Sequence, residues 1–378
     1  MAREPHSFQS RRRTGRRYAV WLFIVLALIG GWTWLWRYAS DKATETIEGW
    51  RAREAKAGHI YSCGKQTIGG YPFRIEINCD QAGAVLRDNQ PPFELKVANV
   101  LVAAEVFQPT LLTSEYASPL TVAAPGQPPA FIASWKSAQS RARGTPASPE
   151  SISVVLDGPS LDRMNGSSRE SVIKAQHIEI LGHMLEGSAS KDPVIEVTLR
   201  TTQMAAPGLN PFAATPIDSD IDVVLRGMKD FAPKSWPARF HEIQAANGRI
   251  DINKARVQQG ETVAVGSGTV SINPQGNLQG QLTVTITGLE PFLKSIGADR
   301  FVQNSPTVDR LAGTLDRLMP GLGNVARQQA GANLGAGINL LGEQTVLEGK
   351  RAVKLPLRID DGTMFLGPIP VGKAPALF

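Results

Sequence analysis

The sequence predicts a mainly β protein: one or more large, curled antiparallel sheets, a helical segment near the C-terminus, and one transmembrane helix ahead of them. Three observations predict it. Tyr18 to Trp36, "YAVWLFIVLALIGGWTWLW", is an uncharged apolar run. After Gly58, for roughly 230 residues, short alternating runs are separated by Gly, Pro, Asn and Asp breaks, the pattern of antiparallel strands. Between Gly288 and Gly342 the apolar spacing changes to three and four, the period of a helix.

The N-terminal run is just long enough to cross the membrane, since a helix rises ~1.5 Å per residue against a hydrocarbon core of ~30 Å. Arg3, Arg11, Arg12, Arg13, Arg16 and Arg17 precede it against a single Glu4, so the N-terminus is expected to stay in the cytoplasm. Trp32, Trp34, Trp36 and Tyr38 gather at the far end, where amphipathic rings favour the interface. A cleaved signal peptide is the competing reading, but the run is long, ends in tryptophans, and is followed by "RYAS", a poor small-residue cleavage site. The expected organisation is a basic tail at 1–17, an anchor at 18–38, a stalk helix at 39–57 and a periplasmic β domain at 58–378. Two halves, 58–190 and 191–378, are conceivable within that domain. Ser40 or Asp41 would cap the stalk helix.

The basic balance belongs to the tail. Residues 1–38 hold seven arginines and one glutamate, a net charge of +6 that equals that of the whole chain. The exported part is neutral, which excludes a nucleic-acid face.

Within the β region the elements follow in order. "GGYPFRIEINC" places Tyr71, Phe73, Ile75, Ile77 and Cys79 on one face of a strand; Gly69, Gly70 and Pro72 are the turn motif ahead of it, where the glycines can supply positive φ and Pro72 suits a first or edge position. "FELKVANVLVAAEVF" from Phe93, "SISVVLD" from Ser151, "VIKAQHIEIL" from Val172 and "VIEVTLRTT" are further strands. "IDSDIDVVL" sets Asp218, Asp220 and Asp222 on a solvated face, opposite Ile217, Ile221, Val223 and Leu225. Arg249 to Thr287 reads as a three-strand meander, and "KLPLRIDDGTMFLGPIPV" as a hairpin with Asp361-Gly362 in a type I′ turn. "LEPFLKSIG", "PTVDRLAGTLDRLMPGLG" and "NVARQQAGANLGAGINLLG" are the helical stretches, with Asn324 to Leu341 as a candidate lid. Cys63 and Cys79 are the only cysteines; both lie beyond the anchor, and an oxidising compartment favours a structural disulfide between them over free thiols.

The anchor, "GGYPFRIEINC", "ANGRIDINKARVQQG", "GSGTVSINPQGNLQGQLTVTITG" and "KLPLRIDDGTMFLGPIPVG" together resemble a bacterial family, domain-of-unknown-function family 2125, typical of alphaproteobacteria. The resemblance spans nearly the whole chain and implies no activity. In texture the chain is also similar to AsmA-type envelope proteins, and that likeness implies curled sheets that handle phospholipid in the periplasm.

Catalytic signatures are sparse. His6, His59, His177, His183 and His241 are read as surface residues without a metal-binding motif. "GLGNVA" at Gly321 does not follow a strand, no P-loop occurs, and no GxSxG elbow is present. No enzyme, cofactor or metal is expected. The expected role is lipid or apolar-ligand binding in a sheet groove for envelope homeostasis, with Tyr71, Phe73, Ile75 and Ile77 lining one end. The alternative is an assembly protein with a dry core that binds another envelope protein through a sheet edge.

Overall fold

A computed structural model describes residues 12–89, 91–145, 148–208, 211–232, 234–288, 342–367 and 369–378. The helical segment expected between Gly288 and Gly342, with its candidate lid, lies almost wholly outside them.

The first element is one helix, α1, Arg12–Lys56. It contains no proline, and its hydroxyl residues turn back on the helix: Ser40 Oγ donates to the Trp36 carbonyl at 2.9 Å and Thr33 Oγ1 to the Ile29 carbonyl at 2.8 Å. Ser40 is therefore an interior position, and the N-cap expected there is absent because its hydroxyl bonds backwards. Anchor and stalk form one continuous rod of about 68 Å at the helical rise. The chain leaves it at Gly58, whose φ of 91° suits glycine.

The strands follow in chain order. β1 is His59–Gly69, β2 Arg74–Leu86, β3 Phe93–Glu105, β4 Gln108–Tyr116 and β5 Leu120–Ala123. β6 is Phe131–Ser134, β7 Ser137–Gly144, β8 Pro149–Asp157, β9 Ser160–Asn165 and β10 Ser168–Lys174. β11 is His177–Ser188, β12 Lys191–Met204 and β13 Ile217–Arg226. A short helix, α2, Trp236–Ala245, precedes β14 Arg249–Gln259, β15 Thr262–Ile272 and β16 Leu278–Thr287. β17 Glu343–Leu347, β18 Lys350–Asp360, β19 Thr363–Leu366 and β20 Ile369–Lys373 complete the sheet.

All of them join one antiparallel sheet of 20 strands, and it is not closed. The main path runs β1–β2–β3–β4–β7–β8–β11–β12–β13–β14–β15–β16–β18–β19–β20. A side branch runs β3–β5–β6–β9–β10. The expected meander is β14–β15–β16, and the expected hairpin is β18–β19, where Asp361 and Gly362 both have positive φ. Residue 190 falls in the turn between β11 and β12, which pair along their length.

The side branch arises from a crease. Four successive long strands are broken at the same level: β4 from β5, β6 from β7, β8 from β9, and β10 from β11. Pro119 and Pro159 lie in two of the breaks, where a residue without an N–H cannot continue a ladder. Main-chain bonds carry the sheet across, with Lys136 N donating to the Asp157 carbonyl at 2.8 Å and Gly158 N to that of Gln176 at 2.7 Å. Trp135 staples the first two breaks, its indole donating to the Tyr116 carbonyl at 2.9 Å.

α2 escaped sequence reading, although Pro237 in its first turn and the Phe240/Ile243 spacing are helix signals. Its Ile243 is buried at 4 % exposure.

Candidate functional site

The β1–β2 turn shows how the sheet meets the helix. Gly70 has φ 91°, and a Cβ there would stand 2.8 Å from the Arg74 carbonyl oxygen, so glycine is required. Arg74 N donates to the Gly70 carbonyl at 2.9 Å, closing a turn made of Tyr71, Pro72 and Phe73. This corrects one expectation: Tyr71 and Phe73 do not extend the strand face of Ile75 and Ile77, because β2 begins at Arg74. Pro72 lies in the turn expected of it with the two glycines, of which Gly70 has the positive φ while Gly69 is the last residue of β1.

The turn docks on α1. Trp32 Nε1 donates to the Pro72 carbonyl at 2.9 Å and Trp36 Nε1 to that of Arg74 at 2.7 Å. Tyr71 Oη and Thr33 Oγ1 share a bond of 2.8 Å. Phe107, in the β3–β4 turn, stacks on Trp32 at 6.0 Å and lies 6.2 Å from Phe73. Val106 N donates to the Phe73 carbonyl at 2.9 Å, tying the two turns together.

Ile75 and Ile77 lead elsewhere. Antiparallel partners share a face, so register traces rows across the sheet. From Ile75 the row runs through Ala104, Leu112, Ala142, Ile152, Gly182 and Val197 to Val223. From Ile77 it runs through Val102, Ser114, Ser140, Val154, Ile180 and Leu199 to Ile221. Neither row carries a charge. Their burial is graded: Leu112 is 43 % exposed, Ile152 51 % and Ile180 39 %, whereas Leu355, farther along the same face, is 1 % exposed.

A cavity of about 380 Å³ lies in the exposed part, lined by Leu112, Ala142, Ile152, Met184 and Ile195, with Phe231 from the segment after β13. It lies at the end of the sheet that carries the Phe73 and Phe107 turns. Sequence reading missed it because its wall is shared among five strands, β4, β7, β8, β11 and β12, that only the sheet register brings together. The alternation in "SISVVLD" was the available signal.

The opposite face is ionic. Arg200 bridges Glu179 at 3.2 Å and Asp220 at 3.5 Å, and Lys254 also pairs with Asp220. Asp222 accepts from Thr198 at 2.6 Å, and Asp218 accepts the Gln203 amide at 2.7 Å. Hydrogen bonding from Lys254 holds the Asp220 carboxyl below its ordinary range. The three aspartates are thus partnered within a cross-strand ladder.

Cys63 and Cys79 form a disulfide tying β1 to β2. At the start of the same strand β1, the structure revises one histidine. His59 is 13 % exposed and lies between Glu54 of α1, 2.9 Å from Nδ1, and Asp88, 3.0 Å from Nε2. Burial lowers its pKa, but bonds to both carboxylates outweigh this and raise it. Its partners are 5 and 29 residues away, so only folding assembles them.

Ser137, Asp157 and His177 also meet, in register on β7, β8 and β11. Ser137 Oγ donates to Asp157 Oδ2 at 2.7 Å and His177 Nδ1 lies 2.7 Å from Oδ1. The carboxylate stands between hydroxyl and imidazole, so the imidazole is not placed as the hydroxyl's base. Among the described residues, no group of three His, Cys, Asp or Glu is placed to hold a metal ion.

The profile of a family described as "Uncharacterized protein conserved in bacteria (DUF2125)" matches residues 36–375. The chain belongs to DUF2125. No curated protein matches it. The DUF2125 region starts at Trp36, one of the two indoles that grip the turn, and takes in the disulfide, the crease and the cavity. It begins within the one described helix long and apolar enough to cross a membrane, which runs from Arg12 to Lys56.

Proposed function

We propose that this chain is a noncatalytic, single-pass protein of the bacterial inner membrane that holds acyl chains on the open part of its sheet. Its N-terminus is cytoplasmic and its sheet periplasmic. The observation that carries the reading is the pair of uncharged rows in which Leu112, Ile152 and Ile180 stay partly exposed, the first two of them lining an apolar cavity. A volume of about 380 Å³ falls within the ~300–1,000 Å³ of small-ligand pockets. Each acyl methylene buried there contributes ~0.8 kcal/mol, so binding requires no polar anchor. The disulfide supports an oxidising compartment. The grip of Trp32 and Trp36 on the turn supports retention of the N-terminal helix.

The test uses the full chain in nanodiscs containing a phospholipid with a diazirine on its acyl chain. Photolysis should label peptides containing Leu112, Ile152 and Met184, and Ala142→Trp, which fills the cavity, should abolish that labelling. Labelling confined to α1 would overturn the reading. The intact mass shows in the same sample whether residues 1–38 are kept.

A further inference from the structure

The aromatic tips of the sheet stand at a depth set by the helix they grip. A helix entering the hydrocarbon at Tyr18 reaches Trp32 after about 21 Å and Trp36 after about 27 Å, at ~1.5 Å per residue in a core of ~30 Å. The Pro72 carbonyl is bonded to the first indole and the Arg74 carbonyl to the second. If α1 spans the membrane, the β1–β2 turn therefore lies at the level of the far leaflet. The β3–β4 turn lies beside it, through the Trp32–Phe107 and Phe73–Phe107 contacts.

The chemistry of these turns fits that depth. Tyr71-Pro72-Phe73 and Val106-Phe107 carry no charge, yet Phe73 is 59 % exposed and Phe107 72 % exposed. The first charges lie one step behind, where Arg74 faces Glu105 at 3.6 Å and Glu76 at 3.8 Å, at the height of Trp36. Tyrosine and tryptophan mark the boundary, as such rings do at membrane interfaces. An aromatic tip backed by charges has the polarity profile of a leaflet, apolar inward and ionic outward.

We propose that Phe73 and Phe107 insert into the leaflet on the sheet's side of the membrane, as a second membrane contact beside α1. The sheet is then fixed at two points, and the end that holds the cavity faces lipid. The proposal rests on α1 as a spanning anchor and stands whether or not the cavity holds a ligand.

The experiment uses the full chain in nanodiscs, with the environment-sensitive fluorophore NBD on Phe107→Cys; the two native cysteines are in the disulfide. Gln127→Cys, in the exposed β5–β6 turn beyond the crease, is the reference. Insertion predicts blue-shifted emission at position 107, several-fold stronger quenching by lipid carrying a doxyl group at carbon 5, and several-fold weaker quenching by iodide than at 127. Phe73→Cys should behave as 107 does, which guards against a local effect of one substitution. Equal iodide quenching at 107 and 127 would overturn the proposal. So would protection from both quenchers with cross-linking between 107 positions, which would assign the tips to a second copy of the chain.

Discussion

The indole of Trp36 donates to the main-chain carbonyl of Arg74 across 2.7 Å, joining residues 38 apart in sequence. Through that bond and its neighbour from Trp32, the first turn of the sheet is carried by the helix that precedes it. Trp36→Phe keeps the ring and removes the donor. It should cost about 1 kcal/mol, the net value of such a bond, and should increase cleavage after Arg74 by trypsin in limited proteolysis. Unchanged cleavage would show that the ring contact with Tyr71 suffices.

His59 gives the junction between α1 and β1 a pH dependence. Its folded pKa is raised, so the stabilisation is fully present below the ordinary histidine value of ~6.5 and is lost as pH rises through the folded value. The Trp50 ring lies 4.6 Å from that of Tyr61, tilted by 32°, beside this junction. Its fluorescence should change as pH rises above the ordinary histidine value and through the raised folded one, and His59→Gln should abolish the transition.

Glu242 of α2 should act in the opposite sense. Burial pushes its carboxyl up, but Lys234, the Lys229 amide and Arg239 outweigh this and hold it below its ordinary range. Such a group stabilises above its unfolded pKa, and the contribution is lost as pH falls through the folded value. Glu242→Gln should flatten the acid limb of a urea-denaturation series near pH 4, with little change in slope around neutrality.

The disulfide closes a loop across a sequence separation of 16, and the chain-entropy model assigns about 3 kcal/mol to a loop of that size. Replacing both cysteines by alanine should lower the urea midpoint accordingly. An unchanged midpoint would mean that pairing with β2 alone holds β1.

Burial along the apolar face predicts unequal costs. Leu355→Ala, at a position 1 % exposed, should cost ~2–5 kcal/mol. Ile152→Ala, at 51 % exposure, should cost about 1 kcal/mol or less. Equal losses would show that Ile152 is covered in solution and that its part of the sheet is a dry core.

What the sequence by itself determined was set by local rules. An uncharged apolar run gives a helix that can cross a membrane, period-2 alternation gives strands, and Asp361-Gly362 gives a two-residue turn. The two cysteines admit one pairing. These follow from neighbours within a few residues, where backbone sterics and one-sided burial decide the outcome. Tertiary structure alone decided what the pieces join. Tyr71 and Phe73 read as strand because they continue the alternation of Ile75 and Ile77. A glycine at positive φ and two indoles some 40 residues away make them a turn. The continuous helix through Ser40 depends on where one hydroxyl bonds. The crease comes from four breaks lining up across strands, the cavity from small contributions of several strands, and the His59 cluster from carboxylates brought together by folding. Each depends on register and on contacts distant in sequence, and a one-residue slip in register would turn every side chain of a strand to the other face.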